Sequence, residues 1–116
     1  MITYTDSFGT TWSLVVKLDN YRNNDNLYVG LVVAEDVYDY EEDDIVAFKG
    51  EPYADLSVNI QTLPENCIAV DCTWGDYCQL IEDNDLGTYT GRDLMSGYCS
   101  YPVYEMNMAK LQENTI

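Results

Sequence analysis

The sequence predicts an α+β fold: a mostly antiparallel sheet of about five or six strands with one helix, residues 74–84, packed on one face. Three observations carry this. Short β-rich runs follow one another with short connections, which favours antiparallel neighbours. Only one stretch shows a sustained helical period. The 116 residues suffice for one modest core, so residues 1–116 are read as a single domain.

The elements follow in order. ITYTD and TTWSLVVKL flank the turn SFG, residues 7–9, as a hairpin, and Trp12, Leu14 and Val16 share a face at period 2. NYRNNDN is a turn cluster, because Asn and Asp tolerate left-handed backbone and bond their own chain. LYVGLVVA, residues 27–34, is apolar enough for a central strand. DIVAFKG and EPYADLSVNI read as further strands, the latter with Ala54, Leu56, Val58 and Ile60 alternating. TLPEN is a loop and CIAVDC a short buried strand.

For the helix, Thr73 is the expected N-cap, with Asp76 at the third helical position near the positive terminus. Trp74, Tyr77, Cys78 and Ile81 fall on one face of a 3.6-residue period, while Asp76, Glu82 and Asp83 fall mostly on the other. Asn84 to Gly87 ends it. TYTGRDLMSG is expected to be a glycine-punctuated loop, and YCSYPVYEMNM a last strand with an edge or bulge at Pro102. MAKLQENTI reads as a tail with a turn of helix.

Composition narrows function further. Twenty-one acids face five bases, a net charge of -16, yet 47% of residues are hydrophobic, so this is no disordered acidic tail. Such a charge disfavours direct nucleic-acid contact and anionic membranes, and it favours basic protein surfaces or divalent cations. No apolar run approaches the roughly 20 residues of a membrane span. MITYTDSFGTTW has neither the basic nor the apolar region of a leader, so a cytoplasmic location with reduced cysteines is expected.

Catalytic machinery is not legible. The chain has no histidine, which removes the commonest general base and metal ligand. No phosphate loop is present, and paired carboxylates arise by chance among so many acids. No enzyme activity and no cofactor are expected. The cysteines, Cys67, Cys72, Cys78 and Cys99, lack zinc-knuckle spacing; Cys67 and Cys72, flanking a buried strand, and Cys78, on the apolar helix face, read as small core residues. EDNDLG holds Asp83, Asp85 and Gly87 but lacks the full calcium-loop pattern, which leaves a divalent-cation module as a minor alternative.

EDVYDYEEDD, residues 35–44, remains. Seven of its ten residues are carboxylates, and no Lys or Arg lies between Arg22 and Lys49. In an extended chain Glu35, Asp39, Glu41 and Asp43 would share a face with alternate positions ~6.6 Å apart, the length scale of neighbouring phosphates. Tyr38 and Tyr40 interleave the acids as candidate anchors. The candidate partner-binding residues are therefore Glu35, Asp36, Tyr38, Asp39, Tyr40, Glu41, Glu42, Asp43 and Asp44, extended by Asp76, Glu82 and Asp83 on the helix. Such an array complements a groove built of Arg, Lys and aromatics, so the expected partner is a basic nucleic-acid-binding protein. The plainer alternative is a solvated loop that only keeps an edge strand from pairing, although two or three charges would suffice for that.

The second half carries Gly50-Glu51-Pro52, Leu56-Ser57-Val58-Asn59-Ile60, Leu86-Gly87, Thr90-Gly91-Arg92, Ser96-Gly97-Tyr98-Cys99 and Tyr101-Pro102-Val103-Tyr104. With the segment Tyr21 to Leu31, these resemble an uncharacterised family of small acidic proteins carried on conjugative and phage-like elements of anaerobic bacteria. The likeness runs in broken pieces over about residues 14–111, and the C-terminal block is its most specific part. This chain departs from it in the acidic insertion 35–44. The resemblance implies a mobile-element context and no catalytic residues. In that context, an antagonist of host defence, of the anti-restriction or anti-CRISPR kind, is the expected role, and an accessory adaptor of the element is the alternative. Within the shared block, Gly87, Gly91 and Gly97 are expected at positive-φ turns, and Arg92 is expected to pair with a carboxylate.

Overall fold

The computed structural model describes residues 1–73 and 75–115, and it is mostly antiparallel sheet with two short helices. The strands form two four-stranded sheets and a separate hairpin, in place of the one sheet expected. In the first sheet β1 (Ile2–Thr5), β2 (Thr11–Asn20), β3 (Leu27–Val33) and β6 (Pro52–Asp55) lie in the order β1-β2-β3-β6. The second orders β7 (Ser57–Val58), β8 (Cys67–Val70), β10 (Cys99–Met106) and β9 (Gly87–Ser96) as β7-β8-β10-β9. The hairpin is β4 (Val37–Asp39) with β5 (Asp44–Ala47).

The two sheets meet at Leu56. The alternating run 52–60 is not one strand, because the chain leaves the first sheet at Asp55 and enters the second at Ser57. The Leu56 amide donates to Val29 O at 2.9 Å, and its carbonyl accepts from the Asp71 amide at 3.1 Å. The side chain is fully buried in one cluster with Ile2, Leu14, Val16 and Val29 of the first sheet and Ile68, Val70 and Met106 of the second. Beside it, Ser57 Oγ accepts from the Val29 amide at 3.0 Å. Buried Asn26 ties the turn cluster to the same corner: its amide nitrogen donates to Asn59 Oδ1 and Gln61 O, and its Oδ1 accepts from the Leu63 amide.

The helix expected over 74–84 is α1 (Tyr77–Asp83). Its N-cap is Asp76 rather than Thr73; the Asp76 carboxylate accepts from the Gln79 amide at 3.2 Å. Both residues suit a cap, and Gly75 between them disfavours an earlier start. Trp74, placed on the apolar face by its spacing, lies outside the described residues. Tyr77, Leu80 and Ile81 enter the core. Asp85, at φ 55, ends the helix with the Leu86 amide returning to Ile81 O and the Asp85 amide to Glu82 O, so Asp85 takes the place usual for glycine. A second helix, α2 (Met108–Glu113), is capped by Asn107 and buries Leu111.

Of the segment 88–97 expected as a loop, residues 88–96 lie in a strand, β9. β9 pairs with β10 through a two-residue turn at Gly97 and Tyr98. The step from Pro102 to Tyr104 on β10 answers that from Asp93 to Tyr89 on β9, so β9 bulges around Gly91 at φ 85. Pro102 is tolerated in an inner strand because β8 pairs only with Val103 to Glu105. Gly91 and Gly97 have positive φ as expected, whereas Gly87 does not. At Gly87 a Cβ would stand 2.9 Å from Glu105 O, so glycine there permits close strand approach.

Two predictions follow from this core. Leu56→Ala should cost about 2–5 kcal/mol, read as a lower urea midpoint; a loss under about 1 kcal/mol would show that the corner is not the packing centre. The second concerns alkali. Burial pushes the Tyr53, Tyr77 and Tyr104 phenols above their ordinary value of 10.0. Tyr28 is pushed up to about 12, chiefly by its hydrogen bond to Asp55. A raised folded value stabilises fully below the unfolded pKa and is lost as pH climbs through the folded one. Stability should therefore fall from about pH 10 upward, with tyrosinate absorbance and loss of circular dichroism coinciding. Tyrosines that all ionise at their ordinary value in an intact fold would contradict it.

Candidate functional site

The acidic stretch is an excursion in the connection between β3 and β6, which are neighbours in the first sheet. Its base is clamped: the Val33 amide donates to Glu51 O, the Gly50 amide to Val33 O, and the Lys49 amide to the Asp36 carboxylate at 2.8 Å. Between these clamps β4 and β5 pair, and residues 40–43 turn. Asp39 forms the turn by accepting the Glu41 amide at 2.9 Å, and Asp43 closes it at φ 52. A fully extended ladder of Glu35, Asp39, Glu41 and Asp43 is thus absent, because Asn- and Asp-type turn bonding outcompetes extension.

The fold-back gathers the acids at one tip. Glu41, Glu42, Asp43 and Asp44 are exposed there, and Glu35 and Asp36 are exposed at the base. Tyr38 and Tyr40 meet edge-to-face, ring centroids 4.8 Å apart. The Tyr38 hydroxyl donates to Asp43, which pushes the phenol upward from its ordinary value. Tyr40 is 87% exposed. Among the described residues the one ion pair is Lys110 with Glu113, at 3.7 Å. The hairpin charge is uncompensated there, and Arg92 does not form the pair expected of it.

The helix acids divide. Asp76 and Asp83 line a cleft of about 640 Å³ with Asp6, Tyr4 and Tyr53. Glu82 points elsewhere, accepting from the Tyr104 hydroxyl at 3.4 Å. Phe8, at the tip of the β1–β2 turn, borders this cleft and also a second one of about 600 Å³ lined by Tyr38, Asp39, Tyr40, Glu41 and Val46. Phe8 is 93% exposed. It thus connects hairpin and helix, and sequence reasoning missed it because SFG registers only as a turn. The signal available was an aromatic residue in a turn that nothing in the chain needs to bury.

Asp6 shapes that turn. Its Oδ1 accepts the Phe8 and Thr10 amides, both at 2.9 Å, and its Oδ2 the Trp12 indole at 3.1 Å. Burial acts to raise its pKa, but these hydrogen bonds outweigh it and hold the carboxyl below its ordinary value of 3.8. The cysteines are free thiols. Cys67 is buried and Cys78 partly so, as core residues would be, but Cys72 and Cys99 are exposed. Burial, with a bond to Cys72, raises the Cys78 thiol to about 12, which suppresses its reactivity. Among the described residues no three His, Cys, Asp or Glu side chains converge as a metal site would require. Among the described residues no helix is long and apolar enough to cross a membrane.

The class this fold and surface define is a small, mostly antiparallel α+β protein with an acidic, aromatic hairpin. Residues 15–115 match the model of a domain of unknown function, DUF4313, and the chain belongs to that family. Neither the curated proteins nor the solved structures contain a match.

The turn makes its own prediction. Asp39→Ala should speed amide exchange at Glu41 while costing under about 1 kcal/mol of global stability. Unchanged exchange at Glu41 would mean that the Asp39 bond does not hold the tip.

Proposed function

We propose that this protein is a non-catalytic binding protein of the cytoplasm, whose acidic hairpin occupies a basic nucleic-acid-binding groove of a bacterial protein and blocks it. The observation that carries this reading is the hairpin tip. Glu41, Glu42, Asp43 and Asp44 crowd one turn, beside the exposed Tyr40. Carboxylates supply what phosphates supply to such a groove, and tyrosines supply stacking surface in place of bases. The likeness to mobile-element proteins adds the target class, a host defence nuclease, by association rather than by geometry. Charge complementarity of this kind mainly speeds encounter and excludes wrong partners.

A second reading has its own observation. Residues 87–104 carry only Arg92 and Asp93 as charges, and Met95 and Tyr98 stand exposed on that hairpin. In a chain of net charge -16, this neutral stretch suits an adaptor interface for a less basic partner.

The immobilised protein should retain a nucleic-acid-binding protein from bacterial lysate that salt releases and DNA or RNA displaces, and it should inhibit that protein's nuclease activity. The triple variant Glu41→Lys, Glu42→Lys, Asp44→Lys should lose capture and inhibition with its melting temperature kept. Asp43 is spared because its positive φ suits Asp better than Lys. Full inhibition by the triple variant would refute the hairpin as the site. A partner indifferent to salt and nucleic acid, lost instead in Tyr98→Ala, would favour the adaptor.

A further inference from the structure

The hairpin acids alone would attract any cation. The two clefts that meet at Phe8 are more selective. Each combines aromatic walls with carboxylates: Tyr38, Tyr40, Asp39 and Glu41 in one, Tyr4, Tyr53, Asp6 and Asp83 in the other. Neither is lined by a Lys or Arg. Phe8 is the shared wall, and little of the fold rests on its ring, since it is 93% exposed. The backbone beneath it is held by Asp6, so the ring projects from a fixed turn. The exposed rings of Phe8 and Tyr40 flank a cleft that also holds the Asp39 and Glu41 carboxylates, a combination of ring faces and anionic acceptors that a planar cation can satisfy at once.

We infer that Phe8 and Tyr40 bracket an arginine side chain of the partner, the guanidinium stacking on the rings while Asp39 and Glu41 accept its hydrogen bonds. The adjoining cleft, with Tyr4, Tyr53, Asp6 and Asp83, takes a second basic side chain from the same partner surface. A guanidinium fits better than an ammonium for two reasons. It is planar and more weakly hydrated, so it stacks at lower desolvation cost, and its fork of donors can reach two carboxylates at once. This rests on the proposed docking of the acidic hairpin into a basic groove. It goes beyond that docking in assigning selectivity for arginine over lysine and in giving Phe8 a role.

The test uses two peptides of equal length and charge, oligoarginine and oligolysine, titrated against the intact protein at one fixed salt concentration. Oligoarginine should bind on the order of five-fold more tightly, the ratio set by a stacking contribution of one exposed cation–aromatic contact. Its amide NMR shifts should concentrate at Phe8 to Thr11 and Tyr38 to Glu41. Phe8→Ala should pull the ratio toward one by weakening oligoarginine more than oligolysine. Tyr40→Ala gives an independent second variant with the same expectation. The triple lysine variant of the hairpin should weaken both peptides together. Equal affinity for the two peptides in the native protein would overturn the inference, as would a preference that survives both aromatic substitutions. If the triple variant weakens neither peptide, the docking reading itself fails, and that outcome is separate from the loss of arginine preference.

Discussion

Leu56 holds a position on which the rest of the molecule depends. Its amide belongs to β3's ladder and its carbonyl to the end of β8, so a single residue is hydrogen-bonded into both sheets. Its side chain is fully buried between them. The need for such a corner follows from charge. Among the described residues the one surface ion pair, Lys110 with Glu113, contributes little, and the mutual repulsion of the carboxylates opposes compaction at every pH at which they are ionised. Cohesion falls to apolar burial and backbone pairing, and those terms are largest where two sheets close over one cluster. Side-chain amides do here what ion pairs do elsewhere: buried Asn26 with half-buried Asn24 and Asn59 links the β2–β3 turn to the chain beyond β7 without adding charge.

That division of labour explains where the acids lie. β3 and β6 are adjacent, so a short link between them would complete the sheet, and the excursion 34–51 is extra to it. An extra hairpin clamped at its base by Val33, Gly50 and Glu51 can carry seven carboxylates without straining the core. Repulsion within the tip is reduced where carboxylates accept hydrogen bonds, as Asp39 does from Glu41 and Asp43 does from Tyr38. The remaining acids face water, where screening limits their mutual cost.

Much of the fold could be read from residues. β1 to β3 follow from alternation and from the apolar run at 27–33, and β8 from the unbroken apolar run at 67–70, which the structure buries throughout. The corner was hidden because Ala54, Leu56, Val58 and Ile60 alternate without interruption, and period 2 says nothing about which sheet receives each residue. β9 was hidden because Thr, Gly, Arg and Asp dilute its pattern; it is an exposed edge strand held by pairing with β10 rather than by burial. The helix start shifted because Thr73 and Asp76 both fit a cap, and capping preference alone does not rank them; the ranking comes from Gly75 between them. For the candidate site, composition identified the hairpin acids and the tyrosines. It could not bring Asp76 and Asp83 to Phe8 or turn Glu82 away, since those juxtapositions come from tertiary packing.

The consequence for recognition is a separation between attraction and selection. A net charge of -16 acts over roughly the Debye length, about 8–10 Å in ordinary salt, and pulls on every basic surface alike. It cannot distinguish a nuclease groove from any other positive patch, because Coulomb attraction is blind to shape. Contacts that depend on ring planes and fixed donor geometry fall off within one atomic layer and can make that distinction. The aromatic groups near the charge stand on hydrogen-bonded supports: Phe8 on a turn tied by Asp6, and Tyr40 against Tyr38 on a hairpin clamped at its base. Rigid rings lose little conformational entropy on contact, so a larger share of each contact's free energy appears as affinity. On the proposed docking, the acids would set how fast a basic partner arrives, and the few exposed rings would decide which arrival lasts.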